Sequence, residues 1–128
     1  MKDDALPSQM PPQDIRQRTF LFAVRVVKTC RRLDGAGASR DLVRQLMRSA
    51  TSVGANAEET QAGQSRADFI SKNAICLKEA RESHYRPRLL QAAEVSQDRE
   101  LPALEQEASE LARIFGSIIT SAKRNSVR

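Results

Sequence analysis

The stretch LPALEQEASELARIFGSIITSA, residues 101–122, sets Leu104, Ala108, Leu111, Phe115, Ile118 and Ala122 at successive spacings of four, three, four, three and four. An α-helix turns once about every 3.6 residues, so these side chains share one face and the polar residues between them share the other. The spacing predicts a helix over 100–124. Pro102 falls in its first turn, where a missing N–H leaves no helical hydrogen bond unmade. Residues 125–128 are expected to fray.

Working back along the chain, Ser96-Gln97-Asp98-Arg99 is a short polar connection. Before it, Phe69, Ile70, Ala74, Leu77, Ala80, His84, Leu89 and Leu90 mark a third helix over 66–94. Pro87 should kink it, because proline removes a backbone donor and crowds the preceding turn. Ser65 with Asp68 three residues on forms an approximate capping box. Gly63 separates this helix from a second over 40–61, which has Ser39 in position to cap it. Its first half carries Leu42, Val43, Leu46 and Met47, and its second half turns small through Ser49, Ala50, Ser52, Val53, Gly54, Ala55 and Ala57. Small side chains let a neighbouring backbone approach, so this half is expected at the bundle centre, against helices three and four. Gly35 and Gly37 end a first helix over 13–33. Its apolar face is Ile15, Phe22, Val26, Cys30 and Leu33, widened by Leu21, Val24 and Val27. Residues 1–12 contain Pro7, Pro11 and Pro12 and read as a flexible arm. Four helices with short connections fold most simply as an all-α, antiparallel up-down-up-down four-helix bundle.

The whole chain is 128 residues, one domain's worth, and its 40% hydrophobic content supplies a core. Aromatics are only 4% with no Trp, which removes most of the stacking platforms of single-strand nucleic-acid binders. One histidine and two cysteines are too few for a Cys/His zinc site. Arg81 stands three residues before His84, so the Glu-x-x-His pattern of di-iron bundles is missing. Neither a Gly-x-Ser-x-Gly elbow nor a Gly-x-x-x-x-Gly-Lys loop occurs. The expectation is no enzymatic activity, no catalytic residue, no cofactor and no metal. The opening MKDDALPSQMPPQD has no apolar core, and no apolar run approaches the ~20 residues of a membrane span. A cytoplasmic protein without membrane contact is expected, with Cys30 and Cys76 as buried structural thiols.

Charge is unevenly spread. The net charge is +5, yet residues 15–48 hold nine Lys/Arg against two acids, and residues 96–122 hold two against five. Arg18, Arg25 and Arg32 recur every seven residues with Lys28 beside them, and Arg40, Arg44 and Arg48 recur every four. Lys78, Arg81 and Arg88 follow on helix three. Arginine forks match phosphate geometry, so Arg18, Arg25, Lys28 and Arg32 are candidates to bind nucleic acid, RNA more than DNA. The same stripes serve equally as a solvated face, or as partners for acids on helix four and on neighbouring copies. Arg40, Arg44 and Arg48 are the candidates for contacts between copies in a homo-oligomer. Glu58, Glu59, Glu79 and Glu82, with Asn56 and Asn73 nearby, form a candidate polar cluster between helices two and three, or else a charged face or buried polar groups that fix the register of helix pairing. Glu82 also stands four residues before Arg86, at the spacing of a helical ion pair.

Three stretches carry a family resemblance. Gln45-Leu46-Met47-Arg48-Ser49-Ala50-Thr51-Ser52-Val53-Gly54-Ala55-Asn56-Ala57-Glu58-Glu59 resembles the helix-two signature of the proteins encoded within intervening sequences of bacterial 23S ribosomal RNA genes, the S23-like family. Lys78-Glu79-Ala80-Arg81-Glu82-Ser83-His84-Tyr85, followed by Arg88-Leu89-Leu90, resembles its helix-three signature, and Glu105 through Ile119 resembles its closing helix more loosely. Ala57 and Thr60 stand where the family often has Ile and Gly, and Arg86-Pro87 where an aromatic-leucine pair is common. The resemblance implies a four-helix bundle assembled as a homopentameric ring, with no established enzymatic activity. The chain is also similar to the accessory proteins of diversity-generating retroelements, basic pentameric bundles that associate with reverse transcriptase and nucleic acid. Two readings follow: a nucleic-acid-binding accessory factor, or a structural adaptor for a protein partner.

Overall fold

The computed structural model describes residues 14–60 and 65–126. Among these the chain forms four helices and no strand: α1 (Asp14–Gly35), α2 (Arg40–Glu58), α3 (Arg66–Ala92) and α4 (Leu101–Ser126). The expected arm over 1–12, the Gly63 break and the last two residues lie outside the described segments. Within them, Asn125 and Ser126 continue α4 instead of fraying.

Local chemistry sets the ends. Gly37 takes φ +86, and Ala38 N–H donates to Leu33 O at 3.0 Å while Gly37 N–H donates to Asp34 O at 3.1 Å. This pair of bonds around a left-handed residue is the Schellman closure, which satisfies carbonyls that a helix end leaves open. The Ser65 hydroxyl accepts from Asp68 N–H at 3.1 Å, as the capping pattern predicts. Ser39 occupies the N-cap of α2, but its side chain makes no capping bond and only its carbonyl is used, by Val43 N–H. The Asp98 carboxylate accepts from Glu100 N–H at 2.9 Å just ahead of α4. Pro87 lies inside α3 without ending it.

Each helix packs on its neighbours in sequence, and α1 also meets α4. The core gathers Phe22, Val26, Cys30 and Leu33 of α1 with Val43, Leu46, Ala50 and Val53 of α2, and meets the α4 stripe at Leu104, Ala108, Leu111 and Phe115. Leu21 does not widen the α1 face; it is exposed, as is Phe20. On α3 the inner face is Asn73, Cys76, Glu79, Ala80, Ser83, Pro87 and Leu90, so the expected Ala74 is left outside. Of the small half of α2, Ser49, Ala50, Val53, Gly54 and Ala57 are buried, chiefly between α1 and α3 and not, as expected, between α3 and α4, while Ala55 is exposed and Ser52 half-buried. Gly54 comes so close to α1 that a Cβ there would stand 3.4 Å from the Thr19 carbonyl oxygen. Facing α3, the Ser83 hydroxyl donates to the Ser49 hydroxyl at 3.1 Å.

Ala50 is fully buried in this tight seam. Ala50→Leu should therefore overpack it and lower stability by about 1–3 kcal/mol. Chemical denaturation followed by circular dichroism reads the loss, and an unchanged midpoint would place Ala50 at the surface.

Both thiols are buried and unoxidised, Cys30 donating toward Val43 O and Cys76 toward Val53 O. Burial pushes the Cys30 thiol up to about 11 and the Cys76 thiol up to about 12. Both are thus poor nucleophiles at neutral pH.

Candidate functional site

The arginine stripe of α1 lies along its seam with α4. Arg18 grips Glu107 with two bonds, Nε to Oε2 at 2.6 Å and Nη2 to Oε1 at 2.8 Å, and reaches Glu110 at 3.1 Å. Arg25 meets Glu100 at 3.2 Å. Arg32 holds Asp98 with two bonds, at 3.0 and 2.9 Å. Rising numbers on α1 thus meet falling numbers on α4. The seven-residue spacing aligns the arginines because seven residues make nearly two helical turns. Lys28, the fourth candidate of the stripe, points outward and forms no ion pair among the described residues.

Burial grades the ladder. The Arg18 side chain is only 10% exposed and Glu107 19%, against 43% and 38% for Arg25 and Glu100. Hydrogen bonding to Glu107 raises the Arg18 pKa, with desolvation opposing it. The Arg18 bond likewise lowers the Glu110 pKa, helped by Gln106, and Arg32 does the same for Asp98. Water screens the exposed pairs and leaves them little net worth, so Arg18 is the energetically important rung.

A second polar assembly lies between α2 and α3. Arg48 donates to Glu82 at 2.6 Å and to Glu79 at 3.4 Å. Glu79 is buried, and the Ser49–Ser83 bond lies in the same seam. Lys72 holds Glu59 at 2.7 Å. Asn56 donates to Ser52 O within its own helix, and buried Asn73 does the same to Phe69 O. The cluster of Glu59, Glu79 and Glu82 thus spends its charge on cations of its own chain. Arg48, expected at a contact between copies, has both of its carboxylate partners on α3 of the same chain. Glu82 pairs with Arg48 and not with Arg86, whose guanidinium sits over the Tyr85 ring at 5.6 Å. Arg40 and Arg44 remain exposed on α2.

Reading the sequence alone located the basic stripes and the acid excess of the last third, and named pairing with helix four among the uses of those arginines. It missed the individual partners Asp98, Glu100, Glu107 and Glu110, and it missed the serine pair. The spacing of Glu100, Glu107 and Glu110, at seven and three, was the available signal for a matching acidic stripe.

Among the described residues no helix is long and apolar enough to cross a membrane. No curated protein matches the chain. A crystal structure of a protein with unknown function from the S23 ribosomal protein family of Bacteroides thetaiotaomicron is 34% identical, with a TM-score of 0.79 over 87% of this chain and 99% of that one. The model of the 23S rRNA-intervening sequence protein family matches residues 12–117, which takes in nearly the whole four-helix unit. With its helix-two and helix-three signatures inside that match, the chain belongs to the 23S rRNA-intervening sequence protein family.

Proposed function

We propose that the chain is a non-enzymatic cytoplasmic bundle, wound up-down-up-down with antiparallel neighbours, that assembles into a closed ring of identical copies and serves as an adaptor for a protein partner. The observation that carries this reading is the α1–α4 ladder. Arg18, Arg25 and Arg32 were the leading candidates for phosphate contact, and each holds a carboxylate of its own chain. A neutralised stripe has little left to offer a polyanion. The helix order is supported by the opposed numbering of paired residues, Arg18 with Glu107 and Arg32 with Asp98, Ser49 with Ser83 and Lys72 with Glu59.

Self-assembly is supported by the outer face of α1, where Phe20 is 57% exposed and Leu21 49%. Neighbouring large apolar side chains in open water favour a protein contact. Exposed Arg40 and Arg44 on adjacent α2 would meet acids of the next copy, and head-to-tail contacts of this kind close into rings. Five copies is the number implied by the resemblance drawn above. Light scattering should give a mass several times 14.3 kDa, and the double variant Phe20→Asp, Leu21→Asp should return the single-chain mass. A parent protein that is monomeric at micromolar concentration overturns the reading.

Nucleic-acid binding is a second reading, favoured by Lys28, Arg31, Arg40 and Arg44. They flank the α1–α2 turn, are exposed and form no ion pair among the described residues. On that reading affinity comes from phosphate contacts, falls steeply with salt and differs little among sequences, RNA being the preferred ligand. Arg40→Glu with Arg44→Glu would then weaken retention of single-stranded RNA, whereas Arg25→Glu with Arg32→Glu would change it less.

A further inference from the structure

A groove of about 420 Å³ runs along the outer seam of α3 and α4. Leu77, Ala112 and Gly116 make its apolar floor, and Arg81, His84 and Arg113 contribute cationic and polar groups to its walls. Both arginines are exposed and neither has a carboxylate within 4 Å among the described residues. The nearby acids are committed elsewhere. Glu82 goes to Arg48, Glu110 to Arg18 and Gln106, and Glu105 to Gln91 at 3.0 Å with His84 at 3.7 Å. The chain therefore leaves two guanidinium groups over apolar floor with no carboxylate in close contact, Arg113 keeping only a longer-range attraction to Glu110.

Gly116 supplies an independent observation. A glycine inside a helix costs about 1 kcal/mol relative to alanine, a cost that a close backbone approach can offset. At Gly54 that approach exists, against Thr19. At Gly116 a Cβ would meet nothing within 4 Å. What the missing side chain leaves there is open space at the groove floor.

We propose that this groove docks an acidic segment of a protein partner, in which a carboxylate stands within a turn of one or two aliphatic side chains. The aliphatic groups lie on Leu77, Ala112 and Gly116, and the carboxylate takes the forked donors of Arg81 and Arg113. No Phe, Tyr or Trp lines the groove, so it lacks the side chains on which nucleobases stack most strongly. This inference rests on the adaptor reading above and assigns a surface to it, distinct from the α1 face that joins copies.

The probe is a random twelve-residue peptide library displayed on phage and selected on the full chain. The selected peptides should share Asp or Glu within three positions of Leu, Ile or Val. A synthetic peptide of that consensus, followed by fluorescence anisotropy, should bind Gly116→Leu and the double variant Arg81→Gln, Arg113→Gln at least tenfold more weakly than the parent. Gly116→Leu places its side chain in open space and removes a helix-breaking residue, so circular dichroism should find it folded. Absence of an acidic–aliphatic consensus, or equal binding by parent and Gly116→Leu, overturns the proposal. So does a fall in assembly mass with Gly116→Leu, which would mean that another copy fills the groove. Loss of single-stranded RNA binding in that variant would make the occupant nucleic acid and overturn it as well. Peptide binding that fails while the parent keeps its multimeric mass refutes the groove and spares the assembly.

Discussion

Phe115→Ala should remove about 3–5 kcal/mol of stability, the range for truncating a large buried aromatic side chain. Phe115 is 1% exposed and sits in the α4 stripe, in the same core as Leu111, Leu104 and the α1 residues Phe22 and Val26. Truncation loses the transfer free energy of the ring and leaves a void that neighbouring helices only partly close. A domain of this size has about 5–15 kcal/mol to lose, so the variant should be near the edge of folding. Ile75 is the contrast, an apolar side chain on α3 that is already 38% exposed. Ile75→Ala should cost about 1 kcal/mol or less, because much of the side chain meets water in both states. Urea unfolding at one fixed protein concentration gives both values, since assembly makes stability depend on concentration. Similar losses for the two variants would mean that the core is not centred on the α4 stripe.

The α4 stripe was legible because its inward residues are large and apolar while the intervening ones are polar. The inner face of α3 was harder to read for the opposite reason. Asn73, Glu79 and Ser83 point inward, so polarity and orientation are uncoupled and the apolar period fades. Its end was misplaced as well, at 94 where the helix closes at Ala92. Glu94 takes the left-handed position at φ 58, with Val95 N–H donating to Leu90 O at 2.9 Å. That position normally shows itself as glycine, and a glutamate there gives the reader no stop signal.

The candidate site divides along similar lines. A spacing of seven placed Arg18, Arg25 and Arg32 on one line, which is a property of a single helix and visible in the sequence. What that line faces depends on which helix lies alongside α1, and Arg18 and Glu107 are 89 residues apart. Charge counts therefore left an exposed basic stripe and pairing with helix four as equal alternatives, and the fold makes the ladder. The α3–α4 groove was invisible for a related reason, since it comes from side chains contributed by two helices and from one that Gly116 lacks.

Arg18→Glu should cost about 3 kcal/mol, the low end of the range for breaking a buried ion pair, because Glu107 keeps some contact with water. The substitution removes the forked donor and places a third carboxylate beside Glu107 and Glu110. Combining it with Glu107→Arg restores opposite charges across the seam and should recover about half of the loss, the pairing energy that a double-mutant cycle isolates. The acid limb provides a separate test, with Arg18→Gln as the variant. Glu110 and Asp98 have folded pKa values below their ordinary 4.5 and 3.8, so their charged forms favour the fold. That contribution is complete above the ordinary values and is lost as pH falls through them toward the lower folded ones. Arg18→Gln keeps the Asp98 contribution and forfeits the share of the Glu110 contribution that Arg18 supplies, the Gln106 bond remaining. The stability gap between parent and variant should therefore be widest near neutral pH and narrow below about pH 4.5, as both states come to hold a protonated Glu110. Urea midpoints measured across that interval decide the matter. A gap that stays constant would trace the loss to the packing of the arginine's aliphatic stem and not to its ion pairs.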